Sequence, residues 1–372
     1  MGLLALRTVP SEYVYAFRGQ WSDLLGSRQH YDVVIHAIAL VNHSPKVVSA
    51  ESITLDATHR GRLLQRVVFD QEEIQQRARP VVAREQFGLR PLVHLILGTD
   101  QALSAEEKLS SSAELEPGHV LVLPNTFLMF HKRPDSLRIR VQFRVDGVED
   151  ETQSELRIAE HASRVKYTFP LQGAWFMKGT PSTGVYDHHR FGVSNEFGAD
   201  LLRLGPQGEL FKNDGKQSAD YYSYGEKVLA AAEGRVVAVN NAQTQDWSRF
   251  NPKQGETEEQ FQERQMHQVR EALQGDVASW AAGNYILIEH AQDEYSAYLH
   301  LRENSATVRA GDVVRRGQHI ADVGNTGDSF GAHLHFQVLD RPDLVHGRSL
   351  PFEFEGIVVT LSEPGWLVQA AG

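Results

Sequence analysis

Cysteine is absent from this chain, so neither disulfides nor thiolate ligands are available, and any transition metal has to be held by His and carboxylate. Long apolar runs are missing as well, and no stretch suffices to cross a bilayer as a helix. Met1 to Pro10 has a short apolar stretch but lacks the sustained apolar region and small-residue cleavage site of a secretory signal. Export would therefore need a signal that is missing here or unconventional. A basic surplus is also lacking: 48 Asp and Glu outweigh 37 Lys and Arg, for a net charge of -11. Nucleic acid and anionic membranes select clustered Lys and Arg, so the balance argues against both and favours a peptide or small molecule as partner.

What is present suits a globular chain with a substantial core. The 372 residues are 41% hydrophobic, and the length favours two domains. From Tyr31 to Leu55 and from Val120 to Val145, apolar and polar residues alternate, as in Leu137-Arg138-Ile139-Arg140-Val141-Gln142-Phe143. Such patterning predicts β-strands, broken at Asn42-His43-Ser44-Pro45 and at Asp146-Gly147. Between them, residues 71–86 are rich in Glu, Gln and Arg and read as either a short helix or a solvated loop. A β-sandwich-like accessory domain over residues 1–165 follows, and nothing in it gathers catalytic residue types.

After Lys166 glycine becomes frequent and punctuates short strands, which makes residues 166–372 a second, antiparallel-β domain. Hairpins are expected over Val228 to Val239 around Glu233-Gly234, over Tyr285 to Leu301, and over Val313 to Val323 around Arg316-Gly317, with a late strand over His333 to Val338. Residues 241–281 interrupt the series as a polar, partly helical insertion, with Glu258 to Leu273 compatible with a helix. There is no tandem repeat and no low-complexity tract. The fold class is therefore mainly β.

The sharpest local feature is His333-Leu334-His335. Side chains two apart in a strand share a face, so both imidazoles project into one space while Leu334 and Phe336 pack behind. The preceding loop, Gly324-Asn325-Thr326-Gly327-Asp328-Ser329-Phe330-Gly331, has the composition of a sharply turning rim. His300 lies in the strand pattern Tyr298-Leu299-His300-Leu301; like His290, it is also compatible with an ordinary strand residue whose ring is hydrogen-bonded. Asp200 is an acid inside the apolar run Phe197-Gly198-Ala199-Asp200-Leu201-Leu202, where a carboxylate needs a cation, a hydrogen-bond set or a metal. Upstream, Asp187-His188-His189-Arg190 is a cluster of potential ligands or a polar loop.

Taken together, these segments resemble the LytM/lysostaphin-type zinc metallopeptidases over roughly residues 169–340. The resemblance is carried by Gly283-Asn284-Tyr285, Tyr298-Leu299-His300-Leu301, Val308, Gly311-Asp312, Val314 and Gly317-Gln318, then Gly324-Asn325-Thr326-Gly327 and His333-Leu334-His335-Phe336. It implies a zinc ion held by His189, Asp200 and His335, with His300 and His333 as catalytic, non-ligand histidines. It also implies a peptide substrate bound in a sheet groove, peptidoglycan stem peptides or cross-bridges, and hence a cell-envelope or extracellular setting. The commoner spacing of that family would put the first ligand at position 196, where this chain has Glu196. The offset from His189 to Asp200 matches a longer-loop version, with His188 as the competing neighbour. Two imidazoles and a carboxylate leave zinc a fourth position for water, as a catalytic site requires.

Two other readings compete. A catalytically inactive wall-binding or regulatory module would keep the same groove without hydrolysis; the full set of histidines in the second half weighs against it, and the atypical first ligand weighs for it. A lipoyl-carrier-like hairpin over Val308 to Val323 would need a modifiable Lys at its tip, where the chain has Arg315-Arg316.

Overall fold

Strict alternation in the first part of the chain builds two facing sheets. In strand Ser136–Val145, Leu137, Ile139, Val141 and Phe143 are buried, while Arg138 and Gln142 point outward. One sheet runs Leu4–Val9, Gly26–Asn42, His119–Phe130, Lys108–Ser110, with Phe17–Asp23 also paired to Gly26–Asn42; the other runs Tyr13–Tyr15, Val148–Ala159, Ser136–Val145, Val48–His59, Arg62–Asp70. Val33, Ile35, Leu121 and Leu123 from the first sheet share a core with Ile53, Leu55, Ile139 and Val141 from the second, which is a β-sandwich. The Asp146-Gly147 break is a two-residue hairpin turn between Val145 and Val148. Both turn residues have positive φ (50° and 78°), the condition for a turn whose twist matches its strands.

The computed structural model describes residues 2–23, 26–86, 89–98, 103–104, 106–178, 187–246, 249–362 and 365–370. The chain divides into two compact units, Met1–His161 with Arg190–Val193, and Ala162–His189 with Ser194–Gly372. Residues 71–86, for which the sequence leaves helix and loop open, form the helix Gln71–Gln86. Ile74, Ala78 and Val81 recur at helical spacing and are fully buried, and that stripe prevails over a mostly polar composition and the internal Pro80. Among the described residues no helix is long and apolar enough to cross a membrane.

The second unit is organised around a nine-stranded antiparallel sheet. Its order is Val313–Val314, Gly234–Asn240, Asn284–Ala291, Glu294–Leu301, Leu334–Leu339, Ala199–Leu202, Ala174–Lys178, Gly365–Ala370, Ile357–Ser362. The expected hairpin of Asn284–Ala291 with Glu294–Leu301 is present. The other two expected hairpins are not. Lys227–Leu229 pairs with His319–Asp322 in a small separate sheet, whereas Gly234–Asn240 pairs with Asn284–Ala291 and Val313–Val314 in the large one. The cause lies in Ala230-Ala231-Ala232: all three are buried, so they carry the chain through the interior from one sheet to the other instead of turning it at the surface. The insertion supplies the helices Glu258–Gln274 and Val277–Ala282, the first started by a capping box between Thr257 and Gln260.

Within the first unit, Arg190 and Asp32 form an ion pair with neither side chain exposed to solvent. The Arg190 guanidinium also lies 5.5 Å from the Phe127 ring. Removing one partner of a buried pair strands the other charge, at a cost of about 3–5 kcal/mol. Asp32→Ala is accordingly expected to lower the stability of this unit by about that amount, read from the urea midpoint at unchanged slope. A change under about 1 kcal/mol would mean that the pair is solvated in solution.

Candidate metal centre

Strands Ala199–Leu202 and Leu334–Leu339 lie side by side with Asp200 directly opposite His335. Residues at even spacing on the second strand share a face, so His335 and Gln337 sit together, preceded by His333 just outside the strand. Phe336 points the other way, into an aromatic cluster with Tyr167, Tyr298, Phe352 and Phe354. His189 comes from a different element, the 3-10 helix His188–Phe191.

Three donor atoms converge. His335 Nδ1 lies 3.1 Å from both Asp200 Oδ1 and His189 Nε2, and His189 Nε2 lies 3.3 Å from Asp200 Oδ1. Ligands at about 2.0–2.1 Å from a tetrahedral ion stand roughly 3.3 Å apart, so the triangle has the dimensions of one face of such a site. His189, Asp200 and His335 are all buried. Each imidazole is oriented from behind. Asp187 Oδ1 accepts from His189 Nδ1 at 2.9 Å and from its backbone N-H at 3.0 Å, and Gln337 Oε1 accepts from His335 Nε2 at 2.7 Å. Gln337 Nε2 in turn donates to the Ser194 carbonyl. With those ring protons committed, His189 Nε2 and His335 Nδ1 present their lone pairs to the same point as the Asp200 carboxylate.

The neighbouring His188 is placed differently. Its side chain is 67% exposed against 2% for His189, and its Nε2 is 3.7 Å from the other oxygen of Asp200. Glu196, at the position of the commoner ligand spacing, is buried but does not belong to the group of donors around Asp200.

The two further histidines flank the carboxylate. His333 Nε2 is 3.3 Å from Asp200 Oδ1, and its Nδ1 donates to the Gly331 carbonyl at 2.7 Å. His300 Nδ1 donates to the Thr326 carbonyl at 2.9 Å, with its ring centroid 4.7 Å from that of His333. His300 also has φ of 61°, a left-handed conformation uncommon outside glycine, and it sits where the pairing of Asn284–Ala291 with Glu294–Leu301 slips register. A strained backbone of this kind, held by its surroundings, is characteristic of functional positions.

The electrostatics follow from one buried carboxylate among imidazoles. Burial alone would raise Asp200, but His189 and His333 outweigh it and hold the carboxyl well below its usual range. Burial alone would depress His189, yet Asp200 and Asp187 push it up to about 10. His300, buried and beside His333 and His335, is driven well below the ordinary histidine range.

Asp187 and Gln337 are hydrogen-bond partners of the two rings that sequence reasoning did not single out as orienting groups. The signal was available, since Gln337 continues the even-spaced face His333, His335 and Asp187 stands two residues before His189.

Residues 258–346 match the family described as Peptidase family M23. That span contains His300, His333 and His335, while His189 and Asp200 precede it. Among curated proteins, the chain is 50% identical over 60 residues to the peptidoglycan DD-endopeptidase ShyB of Vibrio cholerae, covering 16% of this chain. It is 43% identical over 56 residues to the lipoprotein NlpD of Yersinia enterocolitica, covering 15% of this chain. This chain spans 14% of the first relative's length and 55% of the second's. Among solved structures, it is similar to the catalytic domain of lysostaphin from Staphylococcus simulans, with 17% identity, coverage of 51% and 95% of the two chains, and a TM-score of 0.24. It is likewise similar to a zinc containing peptidase from Vibrio cholerae, with 16% identity, coverage of 90% and 86%, and a TM-score of 0.24.

Two outcomes are expected from metal titration of purified variants. His189→Ala loses stoichiometric metal while His188→Ala keeps it; the reverse pattern would exchange their roles. Gln337→Leu keeps the ligands but frees the His335 ring, and should weaken metal affinity about 10–100-fold. An unchanged affinity would show that the strand alone aims that imidazole.

Proposed function

We propose, from the peptidase family M23 domain that this chain carries, that the protein is a zinc-dependent metalloendopeptidase hydrolysing peptide bonds in peptidoglycan stem peptides or cross-bridges. The observation that carries this reading is the convergence of His189 Nε2, His335 Nδ1 and Asp200 Oδ1 on one point, with two more histidines beside it. The substrate class rests on the relative named as a peptidoglycan DD-endopeptidase. Residues 1–165 are then an accessory domain and residues 166–372 the peptidase domain.

The donor set fits zinc: two imidazole nitrogens and one carboxylate oxygen, with no thiolate in the chain. In this reading those three residues hold the ion, which when bound polarises the scissile carbonyl and lowers the pKa of water to about 7. The remaining chemistry belongs to protein side chains. Hydrolysis adds water across the C-N bond, so one proton must leave the water and one must reach the departing amine. His300 and His333 both commit Nδ1-H to a backbone carbonyl, which fixes each ring and leaves Nε2 as the nitrogen that accepts or delivers a proton.

The test combines metal analysis with digestion of isolated peptidoglycan. One zinc per chain together with released muropeptides is expected, whereas tight wall binding without release would identify an inactive module. His300→Ala and His333→Ala should each retain zinc and lose turnover by roughly 10²–10⁴-fold, the scale of general acid-base help. Loss of zinc from either variant would move that histidine into the ligand set.

A further inference from the structure

Residues 241–281 leave the sheet after strand Gly234–Asn240 and return to it at Asn284–Ala291. Asn240 closes the base by donating to the Gly283 carbonyl at 2.9 Å. Inside the excursion, the helix Glu258–Gln274 holds the segment before it: Gln265 donates to the Arg249 carbonyl at 3.0 Å, and Arg264 donates to the Asn251 carbonyl and, twice at 2.7 Å, to Glu256. This scaffolding presents Arg249 and Phe250 in a fixed direction.

That direction is the loop 324–331. Arg249, its side chain only 10% exposed, stacks on Trp280 at 4.4 Å, donates to the Trp280 carbonyl at 3.2 Å and reaches Asp328 Oδ1 at 3.4 Å. The Phe250 ring lies against Phe330 with centroids 4.4 Å apart, on a face where Phe330 stays 74% exposed. Asp328 N-H donates to the Ala281 carbonyl at 2.8 Å. Gly283 and Gly327 press backbone to backbone; both have positive φ, and a Cβ on either would collide with the other strand of chain. Asn284 N-H donates to Thr326 Oγ1 at 2.8 Å.

The same loop holds the two non-ligand histidines. Thr326 O accepts from His300 Nδ1, Gly331 O accepts from His333 Nδ1, and Ser329 Oγ, itself donating to Asn325 Oδ1 at 2.5 Å, lies 3.2 Å from His333 Nδ1. His189 and His335 are oriented by Asp187 and Gln337, which lie outside this loop. We propose that the excursion is a positioning element: Arg249 and Phe250 clip it to loop 324–331, which sets the ring orientation of His300 and His333, while His189 and His335 take theirs from residues outside the loop. The inference rests on reading those two histidines as catalytic. Arg249 and Phe250 act through the loop, and neither touches the reacting atoms.

The test uses the full chain loaded with zinc, in wild-type form and as Arg249→Ala, Arg249→Lys and Phe250→Ala. Ring nitrogen resonances of the histidines report orientation without reference to turnover, zinc content reports the ligands, and steady-state kinetics on a cross-linked muropeptide report the reaction. Arg249→Ala is expected to shift the His300 and His333 resonances, to keep one zinc, and to lower kcat about 10–100-fold with KM within about twofold, the scale of a displaced catalytic group. Phe250→Ala should act in the same direction, and it carries the test if Arg249→Ala does not fold. Arg249→Lys should recover part of the effect, because charge is kept while the planar stacking on Trp280 is lost. Unchanged histidine resonances and kcat in both alanine variants, or loss of zinc instead, would overturn the proposal. A wild-type chain that cleaves nothing would defeat the peptidase reading, and the resonances would still decide whether the excursion positions the two rings.

Discussion

The second unit is arranged around one buried carboxylate. Asp200 Oδ1 has imidazole nitrogens of His189, His333 and His335 at 3.1–3.3 Å, contributed by two separate stretches of chain. A carboxylate taken out of water is costly unless positive charge or donors replace its hydration. Here the replacement comes from groups that themselves need an acceptor, and every nearby element serves that arrangement. The sheet sets Asp200 opposite His335, the 3-10 turn brings in His189, and Asp187 and Gln337 fix which nitrogen each ring presents.

How much of this was legible in the sequence depended on the range of the interaction that decides it. Alternation is local, so the sandwich strands and the hairpin at Asp146-Gly147 could be read directly. The same logic put His333 and His335 on one side and made Asp200 conspicuous within its apolar run. Which strands pair is not local. The Glu233-Gly234 and Arg316-Gly317 turns look like hairpin tips in sequence, yet the buried run Ala230-Ala231-Ala232 sends their arms to different sheets. The choice between His188 and His189 is likewise a matter of burial: adjacent imidazoles are equivalent in sequence, and only the turn that hides one and exposes the other distinguishes them.

The excursion 241–281 illustrates a different limit. Its helix was visible in composition, but its partners are loop residues some eighty positions later, joined to it by the Arg249–Asp328 ion pair, the Phe250–Phe330 ring contact and the hydrogen bond from Asp328 N-H to the Ala281 carbonyl. No local pattern marks Arg249 or Phe250. The layout separates two tasks in physical terms. On the proposed reading, side chains on the sheet and the 3-10 turn would hold the ion, whereas the loop 324–331 holds His300 and His333 through backbone carbonyls.

The central claim is that His189, Asp200 and His335 together hold a single zinc ion. X-ray absorption at the zinc edge of the loaded chain tests it most directly. The account predicts a four-coordinate nitrogen and oxygen shell at about 2.0–2.1 Å with outer scattering from two imidazoles. A six-coordinate all-oxygen shell, or scattering from three imidazoles, would contradict it.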